Sequence, residues 1–144
     1  MGRGHRFDNG QFAGVALGKG PVQPLIGAIS PRAAKAALRG VLVFARSPQH
    51  PRWFTVKTLW FSKPAYDGAT WLRARNVKGA GPVRFGHGAD LTDPLLSAGP
   101  TMNGERGFRE WPGATWVQQP GCYAWQVDGT NFSDVIVFEA RTQG

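Results

Sequence analysis

The sequence predicts an all-β protein, an antiparallel β-sandwich of about seven short strands with one short N-terminal helix. Short apolar or alternating segments follow one another at close intervals and are separated by turn signals. The chain contains 20 glycines and 11 prolines, which favour turns, yet 42% of its residues are hydrophobic, which is too many for a disordered chain. These observations favour a sandwich or barrel over an α/β fold.

The length of 144 residues is that of one ordinary domain. Residues 1–30 are rich in glycine and proline, and we expect them to form an extended arm with one short strand around GVALG. Residues 31–144 are expected to form a single β-sandwich domain.

The first regular element after the arm is a helix over PRAAKAALRG. Ser30 is placed to cap its N-terminus, Pro31 is its first residue and Gly40 ends it. The segment VLVFA that follows is apolar throughout and predicts a buried strand.

From residue 53 onward, the chain has the pattern of strands separated by turns. A long loop, ADLTDPLLSAGPTMNGERG, interrupts the series, and a short strand or helical turn around LTDPLL fits its composition. The predicted strands are WFTVKTLWFS, TWLRARNV, PVRFGHG, ATWVQQ, GCYAWQV and DVIVFEA.

The last two segments are predicted to form a β-hairpin, because the turn signal Asp128-Gly129 lies between them. Alternation along GCYAWQV places Tyr123, Trp125 and Val127 on one face, and these large side chains are expected to face the core. Cys122 lies on the opposite face.

Tyr123 follows a Pro-Gly turn and precedes Trp125 by two positions. This placement near the start of a late strand is similar to the tyrosine corner of immunoglobulin-like sandwiches, with Trp125 where antibody domains have a disulfide cysteine. The predicted sandwich is therefore immunoglobulin-like.

Cys122 is the chain's only cysteine, so it cannot form an internal disulfide. An activated thiolate needs a cationic or histidine neighbour, and none lies near it in the sequence. We therefore predict a structural role for Cys122, as for Tyr123 and Trp125.

A wider resemblance rests on GKGPVQPLIG, KTLWFSKPAYDGATWLRARNVKGAGPVRFG and GFREWPGATWVQQPGCYAWQVDGTNFSDVIVFEA. These segments resemble uncharacterised bacterial proteins, notably actinobacterial, many of them secreted or lipoprotein-anchored, and the closing Pro-Gly-Cys-aromatic hairpin is the clearest part. The resemblance implies a β-sandwich of the cell envelope or the extracellular space. The first twenty residues have no apolar run of signal-peptide length, so a cytoplasmic location stays open.

The net charge of +8 is unevenly distributed. Residues 1–66 contain ten Lys or Arg and one acid, whereas residues 67–144 contain seven and eight. Such asymmetry is compatible with binding to nucleic acid, anionic lipid or a wall polymer. The basic residues are scattered, however, and a solvated face is the interpretation we favour.

The best candidates for ligand contact are Trp71, Arg73 and Arg75. Alternation along TWLRARNV directs these three side chains outward and Leu72 and Ala74 inward. A ring beside guanidinium groups suits a sugar, an anionic polymer or single-stranded nucleic acid. The competing interpretation is that the N-terminal segment covers Trp71, with the arginine stems packed over it.

No pattern in the sequence identifies an enzyme, a metal site or a cofactor. The closest approaches to carboxylate pairs are Asp90 with Asp93 and Glu105 with Glu110, all in segments expected to be solvated loops. The histidines, which have no zinc spacing, are His5, His50 and His87.

The sequence thus predicts a non-enzymatic binding or structural module of the bacterial cell envelope, with an anionic polymer, a carbohydrate or another envelope protein as its partner. Two alternatives remain: a nucleic-acid-binding protein that uses the basic N-terminal half, and an enzyme acting on cell-surface polymers. No transmembrane segment is predicted.

Overall fold

A computed structural model of the chain describes residues 3–27, 29–78, 81–87, 90–92, 95–98 and 107–144, the side chains of 87–98 excepted. The described chain is mostly β-structure with one short helix, as the sequence predicted. Twelve strands lie in this part of the chain rather than about seven. They are β1 (Gly4–Asp8), β2 (Ala13–Leu17), β3 (Val22–Ile26), β4 (Val41–Arg46), β5 (Phe54–Ser62), β6 (Thr70–Lys78), β7 (Val83–His87), β8 (Asp90–Thr92), β9 (Leu95–Ala98), β10 (Arg109–Val117), β11 (Gly121–Asp128) and β12 (Ser133–Gln143).

The helix α1 spans Pro31–Leu38. The Ser30 hydroxyl accepts a hydrogen bond from the backbone N–H of Ala33 at 3.1 Å, which is the predicted N-cap. Gly40 follows the helix with φ of 79°, a conformation in which glycine is unstrained. No helix among the described residues is both long and apolar enough to span a membrane.

Residues 1–30 do not form the predicted extended arm. Strands β1, β2 and β3 form an antiparallel ladder, and β3 pairs with β5. Val15, Leu17 and Val22 are buried in the main core. Polar and apolar residues do not alternate along this segment, because β2 and β3 are largely buried on both faces. A strand without a solvent-exposed face does not need a polar residue at every second position.

The strands form two layers that meet at β4. In the first, β5 pairs with β10 along one edge and with β3 and β4 along the other, and β10 continues to β7 and β8. In the second, β11 lies between β6 and β12, and β6 pairs with β9. Strand β4 joins the layers, because it pairs in parallel with β12 and antiparallel with β5.

Strand β10 begins five residues before the predicted segment ATWVQQ. Its first half contains Pro112 and Gly113, two residue types that are unfavourable in the interior of a strand. The pairing with β7 starts only at Ala114, so Pro112 lies where β5 is the one described neighbour of β10. Proline is tolerated there because one edge of the strand does not need its N–H.

The core lies between the two layers and is centred on two tryptophans. The rings of Trp60 on β5 and Trp125 on β11 meet edge to face, with centroids 5.6 Å apart and planes at 82°. The Trp125 indole N–H donates to the Thr115 hydroxyl at 3.2 Å. Tyr123, Trp125 and Val127 are all fully buried, as predicted from their shared face.

A second apolar cluster covers the other side of the first layer. Phe61 points away from Trp60 and packs among the rings of Phe7, Phe12 and Phe108. The N-terminal strands therefore bury apolar surface on both faces, which explains why β1 to β3 belong to the folded body.

Tyr123 makes the hydrogen bond that a tyrosine corner requires. Its hydroxyl donates to the backbone carbonyl of Gln119, four residues upstream, at 2.7 Å. Burial raises the pKa of this hydroxyl above its ordinary value of 10.0. The contact ties the connection between β10 and β11 to the start of β11.

We predict that Trp125→Ala lowers the free energy of unfolding by about 3–5 kcal/mol, because it leaves a large cavity beside Trp60 and removes the donor to Thr115. Trp71→Ala, the matched control on the outer side of a neighbouring strand, should cost less than about 1 kcal/mol. Urea unfolding of both variants measures this difference. A Trp125→Ala protein that unfolds at the parent's midpoint contradicts the assignment.

Tyr123 should also make stability fall at high pH. Its raised pKa means that the folded state keeps the phenolic proton where the unfolded state has lost it, so its contribution is present below about pH 10 and is lost as pH rises through the raised pKa. Tyr123→Phe should cost about 1 kcal/mol at pH 7 through the lost hydrogen bond. Above about pH 10 the difference between parent and variant should shrink in urea unfolding, and a constant difference would overturn the prediction.

Candidate ligand-binding face

Strand β6 alternates as the sequence predicted. Leu72 and Ala74 are buried in the core, whereas Trp71, Arg73 and Arg75 are exposed. Trp71 has 41% of its surface exposed, so it is not buried beneath the N-terminal segment, whose strands pair instead beside β5. The structure therefore brings the three predicted residues together on one open side of a paired strand.

Neighbouring strands extend this surface, which we call the outer face. Register places Asp128 opposite Trp71, Gln126 opposite Arg73, and Ala124 opposite Arg75. Val135, which is 51% exposed, lies opposite Gln126 on β12. The outer face thus consists of Trp71, Arg73, Arg75, Gln126, Asp128, Val135 and Val137, which surround the buried Ala124.

Asp128 is the acceptor for three side chains on this face. The Ser133 hydroxyl donates to one carboxylate oxygen at 2.6 Å, and Arg73 donates to the other at 3.1 Å. The Gln126 amide donates to both oxygens. Chiefly the hydrogen bond from Ser133, with those from Gln126 and Arg73, holds the pKa of Asp128 below its ordinary value.

The two arginines differ in what they offer a ligand. Arg73 forms an ion pair with Asp128, so its charge is partly compensated. Arg75 forms no salt bridge in the described part of the chain. The uncompensated cation of the outer face is therefore Arg75, two positions along the strand from Arg73.

Cys122 is a half-buried free thiol at the start of β11. Register places Lys78 of β6 and Glu139 of β12 opposite it. These neighbours could not be predicted from the sequence, because both belong to other strands. Lys78 lies beyond a bulge in the pairing of β6 with β11, which alternation alone does not reveal.

Arg109 is a buried cation that sequence reasoning missed. It is 8% exposed, and its Nη2 donates to the carbonyls of Tyr66 and Gly68, each at 3.0 Å, and to the Ser62 hydroxyl. Its guanidinium also lies over the rings of Tyr66 and Trp111. Arg109 therefore anchors the connection between β5 and β6, and no local pattern distinguishes it from a surface arginine.

The other predicted candidates do not converge. No group of three His, Cys, Asp or Glu side chains in the described part of the chain is placed to hold a metal ion. His50 packs edge-on against Trp116, and His5 is exposed on β1. Asp93 and Glu105 lie outside the described residues, as do the side chains of Asp90 and His87, and Glu110 lies on β10.

No known protein-family model matches the sequence, and no curated protein matches it. Among solved structures, the CooA pilin subunit from enterotoxigenic Escherichia coli aligns with 87% of this chain and with 100% of its own, at a TM-score of 0.43 and 9% sequence identity. This likeness is too distant to assign a fold, a family or a function.

We predict that the Asp128 carboxyl titrates below 3.8, its ordinary value, and that Ser133→Ala and Arg73→Gln each raise the midpoint, because each removes a hydrogen bond that lowers the pKa. Because the pKa of Asp128 is lower in the folded state than in the unfolded state, its carboxylate stabilises the fold at pH values above the ordinary pKa. This stabilisation is lost as the pH falls through the pKa of the folded state. Carboxyl-carbon NMR against pH measures both midpoints. An unchanged midpoint in either variant would contradict the contribution of that hydrogen bond.

Proposed function

We propose that this protein is a non-enzymatic binding module of the bacterial cell envelope, built on an immunoglobulin-like sandwich, and that its outer face binds an anionic polymer. Trp71 supplies a stacking surface, Arg75 supplies an uncompensated cation, and Arg73 supplies a second cation already held by Asp128. The carrying observation is the exposure of Trp71 beside these arginines on one side of a strand paired to β11.

The immunoglobulin-like part of the proposal is supported by strand pairing. One layer contains β5, β10 and β7, the other contains β6, β11 and β12, and the last strand runs parallel to β4. The Tyr123 hydrogen bond to Gln119 fits the tyrosine corner of such domains. Trp125 fills the position that a disulfide cysteine takes in antibody domains.

The chemistry of the outer face favours a ligand that has both rings and negative charge. Stacking on an exposed aromatic side chain contributes about 1–3 kcal/mol to binding. A single uncompensated arginine adds a modest attraction that salt weakens. The envelope location rests on the sequence resemblance.

A second candidate function, nucleic-acid binding, is favoured by the basic residues of the N-terminal half. Several of them are exposed on separate elements: Arg6 on β1, Lys19 in the turn after β2, and Arg32 and Lys35 on α1. A contact that used these cations would weaken steeply with salt and would not depend on Trp71.

We predict that an anionic wall polysaccharide binds the parent, and that Trp71→Ala weakens this binding about tenfold, since the stacking of a sugar ring on the indole is lost. Arg75→Gln should weaken it more than Arg73→Gln, because Arg73 is already paired with Asp128. Lys57→Gln, a matched charge loss on β5, should have no effect. Calorimetric titration at low and moderate salt measures all four variants.

The same titrations separate the alternatives. Tight, salt-sensitive binding of a single-stranded oligonucleotide that Trp71→Ala leaves unchanged would favour the nucleic-acid function. Shortening of the polymer during incubation, seen by size-exclusion chromatography, would favour an enzyme. Polymer binding that is equal in parent and Trp71→Ala removes the outer face from the proposal.

A further inference from the structure

Strand β12 has an edge that β4 covers only in part. The parallel pairing of β4 with β12 begins at Glu139 and continues to Gln143. The first half of β12, from Ser133 to Phe138, pairs with β11 on its other edge and with no described strand on this one. The reason is topological: α1 and Gly40 precede β4, so no strand continues along β12.

The free edge presents backbone donors and acceptors. The N–H of Glu139 donates to the carbonyl of Gly40 at 2.9 Å, so the backbone groups of Glu139 point toward β4. Within a strand paired in an antiparallel ladder, alternate residues direct both N–H and C=O to the same edge. Val137 and Val135 therefore offer two N–H and two C=O groups along the uncovered edge.

A cleft of about 520 Å³ lies along this edge. Its walls are the segment from Asp134 to Val137 on one side, and Arg3 with the turn residues Gly18 and Lys19 on the other. Gly18 is pressed against β12, since a Cβ atom there would lie 2.6 Å from the Ile136 side chain. The cleft therefore lies between β12 and the N-terminal strands and has a wall on each side.

The charge of the cleft is positive. Asp134 is the one acidic residue among the described residues that line it, and that carboxylate accepts hydrogen bonds from the backbone N–H groups of Lys19 and Gly20 at 3.0 and 3.2 Å. Arg3 and Lys19 are exposed at the opposite wall and form no salt bridge with any described residue. An occupant with carboxylates would meet two uncompensated cations.

We propose that the cleft binds an extended acidic peptide segment of a partner protein, which adds to β12 as a new strand. Hydrogen bonds to Val135 and Val137 would supply affinity, and Arg3 and Lys19 would select acidic side chains. The four residues from Asp134 to Val137 span about 13 Å, which matches an equally short peptide strand. The turn at Gly18 packs against β12 beside this edge and forms the other wall of the cleft, so a thin extended segment fits better than a second folded copy. This site uses the backbone groups of Val135 and Val137, whose side chains belong to the outer face, and it does not include Trp71, Arg73 or Arg75.

The probe is a fluorescent hexapeptide of alternating valine and glutamate, compared with one of alternating valine and lysine. We expect the glutamate peptide to bind at least about tenfold more tightly in fluorescence anisotropy, and amide hydrogen exchange at Val135 and Val137 to slow when it binds. Equal binding of the two peptides, or unchanged exchange at both valines, would overturn the proposal.

Three changes test the mode of binding. Methylation of alternate peptide nitrogens on the bonding edge should abolish binding without changing charge. Val137→Pro should do the same while the protein still folds, because that N–H has no partner among the described residues. Lys19→Glu should reverse the preference between the two peptides, and the matched control Lys57→Glu should not.

Binding that survives both peptide methylation and Val137→Pro would contradict strand addition. Concentration-dependent dimerisation in sedimentation experiments that Val137→Pro abolishes would show that a second copy fills the edge, which also contradicts the peptide proposal. Trp71→Ala should leave peptide binding unchanged, so failure of the polymer proposal and failure of this one can be distinguished.

Discussion

The hydrogen bond from the Trp125 indole to Thr115 is the contact on which the alignment of the two layers depends. A buried indole N–H needs an acceptor, and a buried hydroxyl needs one in turn. Thr115 lies 3.1 Å from the Thr58 hydroxyl, and Thr58 donates to the Val56 carbonyl. All of these groups are satisfied when Trp125 donates to Thr115, Thr115 donates to Thr58, and Thr58 donates to the Val56 carbonyl. This series of hydrogen bonds joins β11 to β10 and β5 in one register.

That register decides what the outside of the protein presents. With Trp125 directed inward, Ala124 and Gln126 must point outward, and pairing with β6 and β12 aligns them with Arg75, Arg73 and Val135. A shift of one residue would exchange the core residues for the outer face. The candidate polymer-binding residues thus lie on the side of β6, β11 and β12 that is opposite to the core.

Two carboxylates, those of Asp128 and Asp134, influence which cations remain unpaired and able to bind a ligand. Asp128 compensates Arg73, and Asp134 is used by the backbone of the turn after β2. Arg75 on the outer face and Lys19 at the β12 cleft are left without such partners among the described residues. Uncompensated cations therefore lie at both proposed binding sites, one on a strand surface and one at a strand edge.

The sequence by itself determined the features that depend on near neighbours in the chain. These are the cap of α1 by Ser30, the inward and outward faces of β6 and β11, and the position from which Tyr123 reaches Gln119. Each follows from side-chain polarity or geometry within a few residues. Only the tertiary structure decided that β1 to β3 join the folded body and that Arg109 is buried against Tyr66 and Trp111. It also decided that Lys78 lies opposite Cys122 and that no described strand pairs with half of the β12 edge. These features depend on which distant segments pair, and pairing is selected by the burial of the whole core rather than by any local pattern.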